Sequence, residues 1–516
     1  MALMADAPLP LTLRNGDRMK HWKKISALAV LLIAAGTVLG VGIGSDRLMG
    51  LNRIPDNALV NRPTLNLWYT DEALTDYLAA ASLDFSEKED VRVIPRLVSG
   101  LEYLEQINQE SLSTNMYPDL YIIGNDSLEK AWLAGLACPV DDEGFVSADN
   151  FPQQAVNAVT CKGKVAGYPF YFETSALIYN QTYMEDLARS AMEAEADALE
   201  GQAAMAALEE NGEPSAEPVR DSGETASQAP WEDENQVRER AQAMIPSTID
   251  HILAFADSYN APEQVEAVFK WDVSDIFYNY FFAGNYIDVG GVNGDDTEKI
   301  DIYNMDAIKC LTAYQELNQF FSIAPDEVDY NSVVNEFLEG KLVFTVATTD
   351  VLARLEEAKR NGEFPYEYGV TNVPDINEEL STRSLSVTST VVVNGYSEKK
   401  EMANRFARYL TGEAAGELFA ETGKIPSCSR AEYSVPQEEA FAREYADSVP
   451  IPKMMAASNY WVQMEIAFTR IWEGEEVSAT LQALSEQILT QIKGEPVTEE
   501  YIEPPEEETE TVENTD

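Results

Sequence analysis

Residues Val165–Asn180, VAGYPFYFETSALIYN, set one acidic side chain, Glu173, between two apolar runs. Tyr168-Pro169 reads as a turn, and Phe170–Phe172 and Ala176–Tyr179 read as buried strand, rich in aromatic and β-branched residues. A carboxylate in such a setting is costly to bury unless it is paired, or unless the chain passes there from one body to another beside a wet cleft. The stretch is therefore expected to be a strand crossing between two lobes. From spacing alone, the competing reading makes Glu173 a turn residue on one sheet.

Working outward, 516 residues exceed one core of ordinary size, so two or more lobes are expected. The 36 basic side chains face 89 acidic ones, a formal charge of −53, which argues against a nucleic-acid partner. Much of that charge sits in two stretches. Glu495–Asp516 carries ten acids and no Lys or Arg, and Glu185–Arg240 carries sixteen acids against four Arg. Both read as solvated appendages, with Met184–Glu210, rich in Ala and Glu, expected to be a solvated helix and Asn211–Glu234 and the tail expected to be disordered.

Catalytic and metal signatures are sparse. With only His21 and His251 in the chain, nucleophilic catalysis through a His base would rest on His251, which lies in a helical pattern. No HExxH, GxSxG, P-loop or CxxC pair occurs, and neither a metal site nor a cofactor is expected. Cys138 and Cys161 border apolar runs in one region and form the best disulfide pair if the chain is exported; free buried thiols are the alternative.

Toward the N-terminus, Met19–Lys24 is a basic flank and Met19 an alternative start. Ile25–Gly44 then runs twenty residues without a charge. That length matches the hydrocarbon thickness of a bilayer, so the run reads as an uncleaved N-terminal transmembrane anchor, or else as a signal peptide. From Thr64 strands and helices alternate: strands at Thr64–Thr70, Val91–Val98 and Pro118–Ile123, helices at Asp71–Ser86, Gly100–Thr114 and Asp126–Gly135. This favours a parallel sheet with ligands beyond the carboxyl ends of its strands, at Tyr69–Glu72, Ser99-Gly100 and Gly124–Asp126. The aromatics of Ser274–Ala283 have helical spacing, and Gly423 is expected to cap a helix ending at Thr422.

Several phrases in this order resemble one family, the extracellular solute-binding proteins of ABC importers, in the maltose-binding-protein-like group that mostly takes carbohydrates. They are Leu65–Thr70 (LNLWYT), Pro118–Gly124 (PDLYIIG) with Leu136–Asp141 (LACPVD), Gly163–Asn180, Asn335–Val346 (NEFLEGKLVFTV), Phe406–Ser427 (FARYLTGEAAGELFAETGKIPS) and Ala457–Ile466 (ASNYWVQMEI). The resemblance implies an α/β, two-lobed periplasmic-binding-protein-like fold of type II: a first lobe at 63–172 plus 375–428, and a second at 173–374 plus 449–493 with an insertion at 187–240. Residues 1–62 precede these lobes and 494–516 follow as a tail. It further implies a sugar held in the cleft, with Glu173 accepting hydrogen bonds from hydroxyls, Trp461 stacking, Gly124–Asp126 supplying polar contacts and Tyr69–Asp71 forming the loop after the first strand. Val462 stands where maltose binders place an aromatic and Glu465 where they place a base, which points away from maltose itself and leaves other glycans open.

The residue chemistry leads to the same expectation. Sugars offer hydroxyls and flat C–H faces, and a site for them combines planar acceptors with aromatic platforms. Glu173, Asp126, Asn125 and Asp71 with Tyr69, Tyr460 and Trp461 supply both. Helix capping by Asp71 and Asp126, and core packing by Trp461, are the plain alternatives. The expected function is that of a non-enzymatic, monomeric receptor at the extracytoplasmic face of the membrane. It would capture a small-molecule ligand, an oligosaccharide, and hand it to ABC permease subunits. The alternatives are a sensory or adhesion receptor on the same scaffold and a two-carboxylate glycoside hydrolase.

Overall fold

The computed structural model describes residues 62–113, 117–142, 144–211, 229–321 and 323–504. The run Ile25–Gly44 lies outside them; among the described residues no helix is long and apolar enough to cross a membrane. The described residues from Thr64 onward form one compact unit. Its strands, in order, are β1 (Thr64–Tyr69), β2 (Arg92–Leu97), β3 (Leu120–Gly124), β4 (Thr160–Cys161), β5 (Lys164–Val165), β6 (Tyr168–Asn180), β7 (Ala267–Phe269), β8 (Asp288–Val289), β9 (Ile300–Asp301), β10 (Leu342–Thr348), β11 (Tyr368–Thr371), β12 (Leu385–Val393), β13 (Ile425–Pro426) and β14 (Val449–Pro450).

The main sheet has the order β2-β1-β3-β12-β6-β10-β7, with β11 and β13 also on β6 and β14 on β12. Strand β6 belongs to both halves. Residues from Tyr168 to Thr174 pair with β12, and those from Ser175 onward pair with β10. Every residue of β6 except Glu173 is buried, as expected for a strand covered on both faces. The pairing with β12 shifts between Ser389 and Thr390, where Pro169 has no N–H to give the ladder. Phe172 stacks on Tyr445 at 4.0 Å, tying β6 to the Pro436–Asp447 helix.

Strand directions position the site. β1 and β3 run parallel, β12 opposes both β3 and β6, so β6 runs with β1 and β3. β10 opposes β6 and carries β7 parallel to itself. Thr348, the last residue of β10, is the partner of Ser175. Gly124, the last residue of β3, faces Ser389, the partner of Tyr171, so the carboxyl ends of β3 and β10 flank Glu173 on β6.

Several expectations are corrected. The aromatics of 274–283 form two 3-10 turns, Ile276–Tyr278 and Tyr280–Phe282, instead of a helix. Asn279 between them takes the Trp271 indole N–H (2.8 Å) and donates to the carbonyls of Asp272 (3.1 Å) and Asp275 (2.7 Å), a side-chain pattern that competes with helical bonding. The insertion is anchored at its base. A helix at Gln181–Asn211 leaves the end of β6, and a second at Glu234–Ala243 packs beside it through Arg189–Glu234, Arg238–Glu185 and Arg240–Glu195. Ala188, Val237 and Ala241 are buried there; residues 212–228 lie outside the described residues. The start of the presumed tail is also docked: Ile502 N–H donates to the Tyr303 hydroxyl (2.7 Å) and Glu499 N–H to Glu486 (2.9 Å). Cys138 and Cys161 are both free thiols, as are Cys310 and Cys428; Cys138 spends its S–H on the Val393 carbonyl, and Cys161 is fully buried.

Candidate functional site

In the first half, three acidic residues follow or lie on strands that end together. Asp71 comes just after β1 and caps the turn Glu72–Leu74 by accepting from Ala73 N–H (3.0 Å). Asp126 comes just after β3. A Cβ at Gly124 would stand 2.4 Å from Asp126 Oδ1 and 3.6 Å from Val387, the register partner of Glu173, so glycine there lets the Asp126 carboxyl fold back beside the crossing strand. Asp126 is open to water yet set low among surrounding protein, and this crowding pushes its carboxyl above the usual range. Glu173 keeps 44% of its side chain exposed.

A basic residue that sequence reasoning passed over joins two of these groups. Lys424 lies 3.2 Å from Asp71 Oδ2 and 3.4 Å from Glu173 Oε1, with its ammonium 5.5 Å from the centre of the Tyr171 ring. Burial alone would pull it down, but Glu173, Tyr171 and Asp71 together outweigh that and hold it protonated, above the ordinary lysine range. It sits inside the quoted phrase Phe406–Ser427, but it is 251 positions from Glu173, and no periodicity links residues so far apart.

The second half presents its own strand ends. After β10, Asp350 accepts from the Tyr330 hydroxyl (2.8 Å) and from the Thr348 hydroxyl. Tyr330 stacks on Tyr278 at 4.8 Å. After β7 come Asp272, which accepts from Ser274, and Asp275, which caps Phe277. Trp461 and Glu465 are one turn apart on the Tyr460–Trp472 helix. Trp461 is half-buried, braced edge-on by Tyr280 (5.4 Å) and Tyr460 (4.9 Å). Partial burial, with Asp275 and Asp272 adding to it, raises the Glu465 carboxyl; burial, with Asp272 adding, raises Asp275.

Three expected ligand residues are engaged inside the protein. Tyr69 is 2% exposed, its hydroxyl on Thr75 (3.2 Å). Asn125 is fully buried and uses both ends of its amide, accepting from Thr388 N–H (2.8 Å) and donating to the Ile451 carbonyl (3.0 Å). Tyr460 is fully buried in the aromatic packing under Trp461. Glu173, Asp71 and Asp126 remain accessible, in whole or in part, beside the strand ends, and Trp461 is half-buried on its helix.

Two half-sheets hung on one shared strand, with carboxylates exposed beside it, define a two-lobed fold of the solute-binding class. The comparisons agree. A family model described as "Bacterial extracellular solute-binding protein" matches residues 81–443, and the chain belongs to that family, which places its work on the extracytoplasmic side. It is similar to the maltodextrin-binding protein MdxE of Bacillus subtilis (strain 168), 22% identical over 84% of this chain and 90% of that protein. It is also similar to the maltotriose-binding protein of Pyrococcus abyssi, 21% identical over 76% of this chain and 74% of that one. Its fold matches the extracellular solute-binding protein of Staphylococcus aureus solved with maltose, with a TM-score of 0.64, 17% identity, and coverage of 84% of this chain and 98% of the other.

Proposed function

We propose that this protein captures an oligosaccharide of the maltodextrin type at the converging strand ends and delivers it to ABC permease subunits. The lobes 63–172 plus 375–428 and 173–374 plus 449–493 close about β6 as the ligand binds. The observation that carries the reading is Glu173: a half-exposed carboxylate on an otherwise buried strand, at the point where both half-sheets end. Asp71 and Asp126 add acceptors from the first lobe, and Trp461 adds a ring face from the second, the combination that hydroxyls and sugar C–H faces require. The curated relatives named for maltodextrin and maltotriose support the ligand class. In this reading the apolar run Ile25–Gly44 holds the protein at the outer face of the membrane.

The test is a thermal-shift screen of maltose, maltotriose and maltotetraose beside amino acids and peptides. A ligand at about 100 times its Kd adds roughly 2.7 kcal/mol to the folded state, so a binder raises Tm clearly. A rise with maltotriose or maltotetraose is expected. No rise with any sugar, or turnover of the bound sugar, overturns the reading.

A further inference from the structure

We propose that Lys424 sets the charge class of the ligand. Its ammonium fills the place between Asp71 and Glu173 that a cationic ligand would otherwise take, and it reserves the cleft for uncharged polyhydroxyl ligands. This deepens the binding reading above and rests on it.

The argument begins with how firmly Lys424 is placed. It follows Gly423, which ends the Leu418–Thr422 helix in the left-handed region (φ 72°), and its own N–H donates to the Thr422 hydroxyl (3.1 Å). The next residue, Ile425, pairs with Phe172, so Lys424 stands level with Glu173 on the neighbouring strand. Its side chain is only 21% exposed, and the ammonium reaches both carboxylates at 3.2 and 3.4 Å while facing the Tyr171 ring. Asp71, Glu173 and Tyr171 are the charged and titratable groups that face it.

An empty pair of half-buried carboxylates is a cation site: like charges at close range either take up a proton or gather a positive partner. In a chain of formal charge −53, that partner would be any soluble amine. Lys424 answers this from within. An incoming ammonium meets acceptors already compensated and a like charge at their centre. A hydroxyl meets neither obstacle. Each carboxylate has about four lone-pair sites, of which Lys424 and the Ala73 N–H use few, and an ammonium has three N–H groups to share with a sugar oxygen. The carboxylates of the second half are arranged differently, with Asp272 accepting from Ser274 and Asp275 from Phe277 N–H (2.8 Å).

Titration calorimetry at low salt tests this with maltotriose as the neutral probe, and with spermidine and fully deacetylated chitotriose as cationic ones. Wild type and Lys424→Arg should bind maltotriose and take the cationic probes at least about tenfold more weakly than Lys424→Met does, a factor of about 1.4 kcal/mol, typical of a charge-assisted contact. Adding Glu173→Gln to Lys424→Met should abolish the gain, locating the cation at this pair, and raised salt should weaken it. Lys424→Gln, with folding of every variant checked by circular dichroism, repeats the measurement should the Met variant not fold. No gain for either cationic probe in a folded Met or Gln variant overturns the proposal, as does wild-type binding of those probes at the variants' strength. If wild type binds no neutral oligosaccharide while the variants gain the cations, the role of Lys424 stands and the carbohydrate reading falls.

Discussion

Glu173 and Glu444 show how one residue type serves opposite ends under different surroundings. Glu173 is half-exposed and lies 3.4 Å from the Lys424 ammonium beside the strand ends. Glu444 is 3% exposed, and burial pushes its carboxyl up to about 7 against the lowering effect of Ser384 and of the Val373 N–H that it accepts at 3.2 Å. The sign of its effect follows from linkage. Below pH 4.5 both states hold the proton; between there and about 7 the unfolded chain releases it first, so stability falls as pH rises, and the loss is complete above 7. Glu444→Gln removes that slope. Chemical denaturation should find the variant more stable than wild type at pH 8, by up to about 3 kcal/mol, and the two should converge below the unfolded-chain value of 4.5. A pH-independent difference would refute the assignment.

At the level of elements, the long apolar strand and the cap at Gly423 were legible because each follows from local chemistry: apolar, β-branched composition and the one residue type that tolerates positive φ. What misled was context. Tyr69 and Tyr460 looked like platforms because aromatic residues near a strand end or helix start suit a cleft, but both point into packing that no linear pattern shows. Lys424 was invisible for the converse reason, since its meaning depends on two carboxylates brought to it by the sheet. The insertion illustrates the limit of composition: Ala- and Glu-rich sequence looked like appendage, yet Val237 and Ala241 are buried at its base. Replacing residues 193–228 by a short Gly-Ser turn keeps Ala188, Val237 and Ala241 and the Arg189–Glu234 and Arg238–Glu185 pairs, and gives up only Arg240–Glu195. The shortened protein is expected to bind ligand as wild type does, with Tm lowered by no more than a few degrees; lost binding would make the insertion part of the site.

For the whole molecule, β3 of the first half ends level with Tyr171 and β10 of the second ends level with Ser175, on either side of Glu173, and a second contact joins distant segments. The buried Lys453 donates to the carbonyls of Asn157 (3.0 Å), Thr160 (2.9 Å) and Asn293, and Lys162 pairs with Glu129 at 2.8 Å while its N–H reaches Asp295 at 2.5 Å. These bonds keep the segments near β4, β8 and β14 in register. The decisive measurement is a crystal structure of the protein with the oligosaccharide that gives the largest thermal shift. The account predicts sugar hydroxyls within hydrogen-bond reach of Glu173 and a pyranose face against Trp461. Sugar bound elsewhere, with Glu173 untouched, would contradict it.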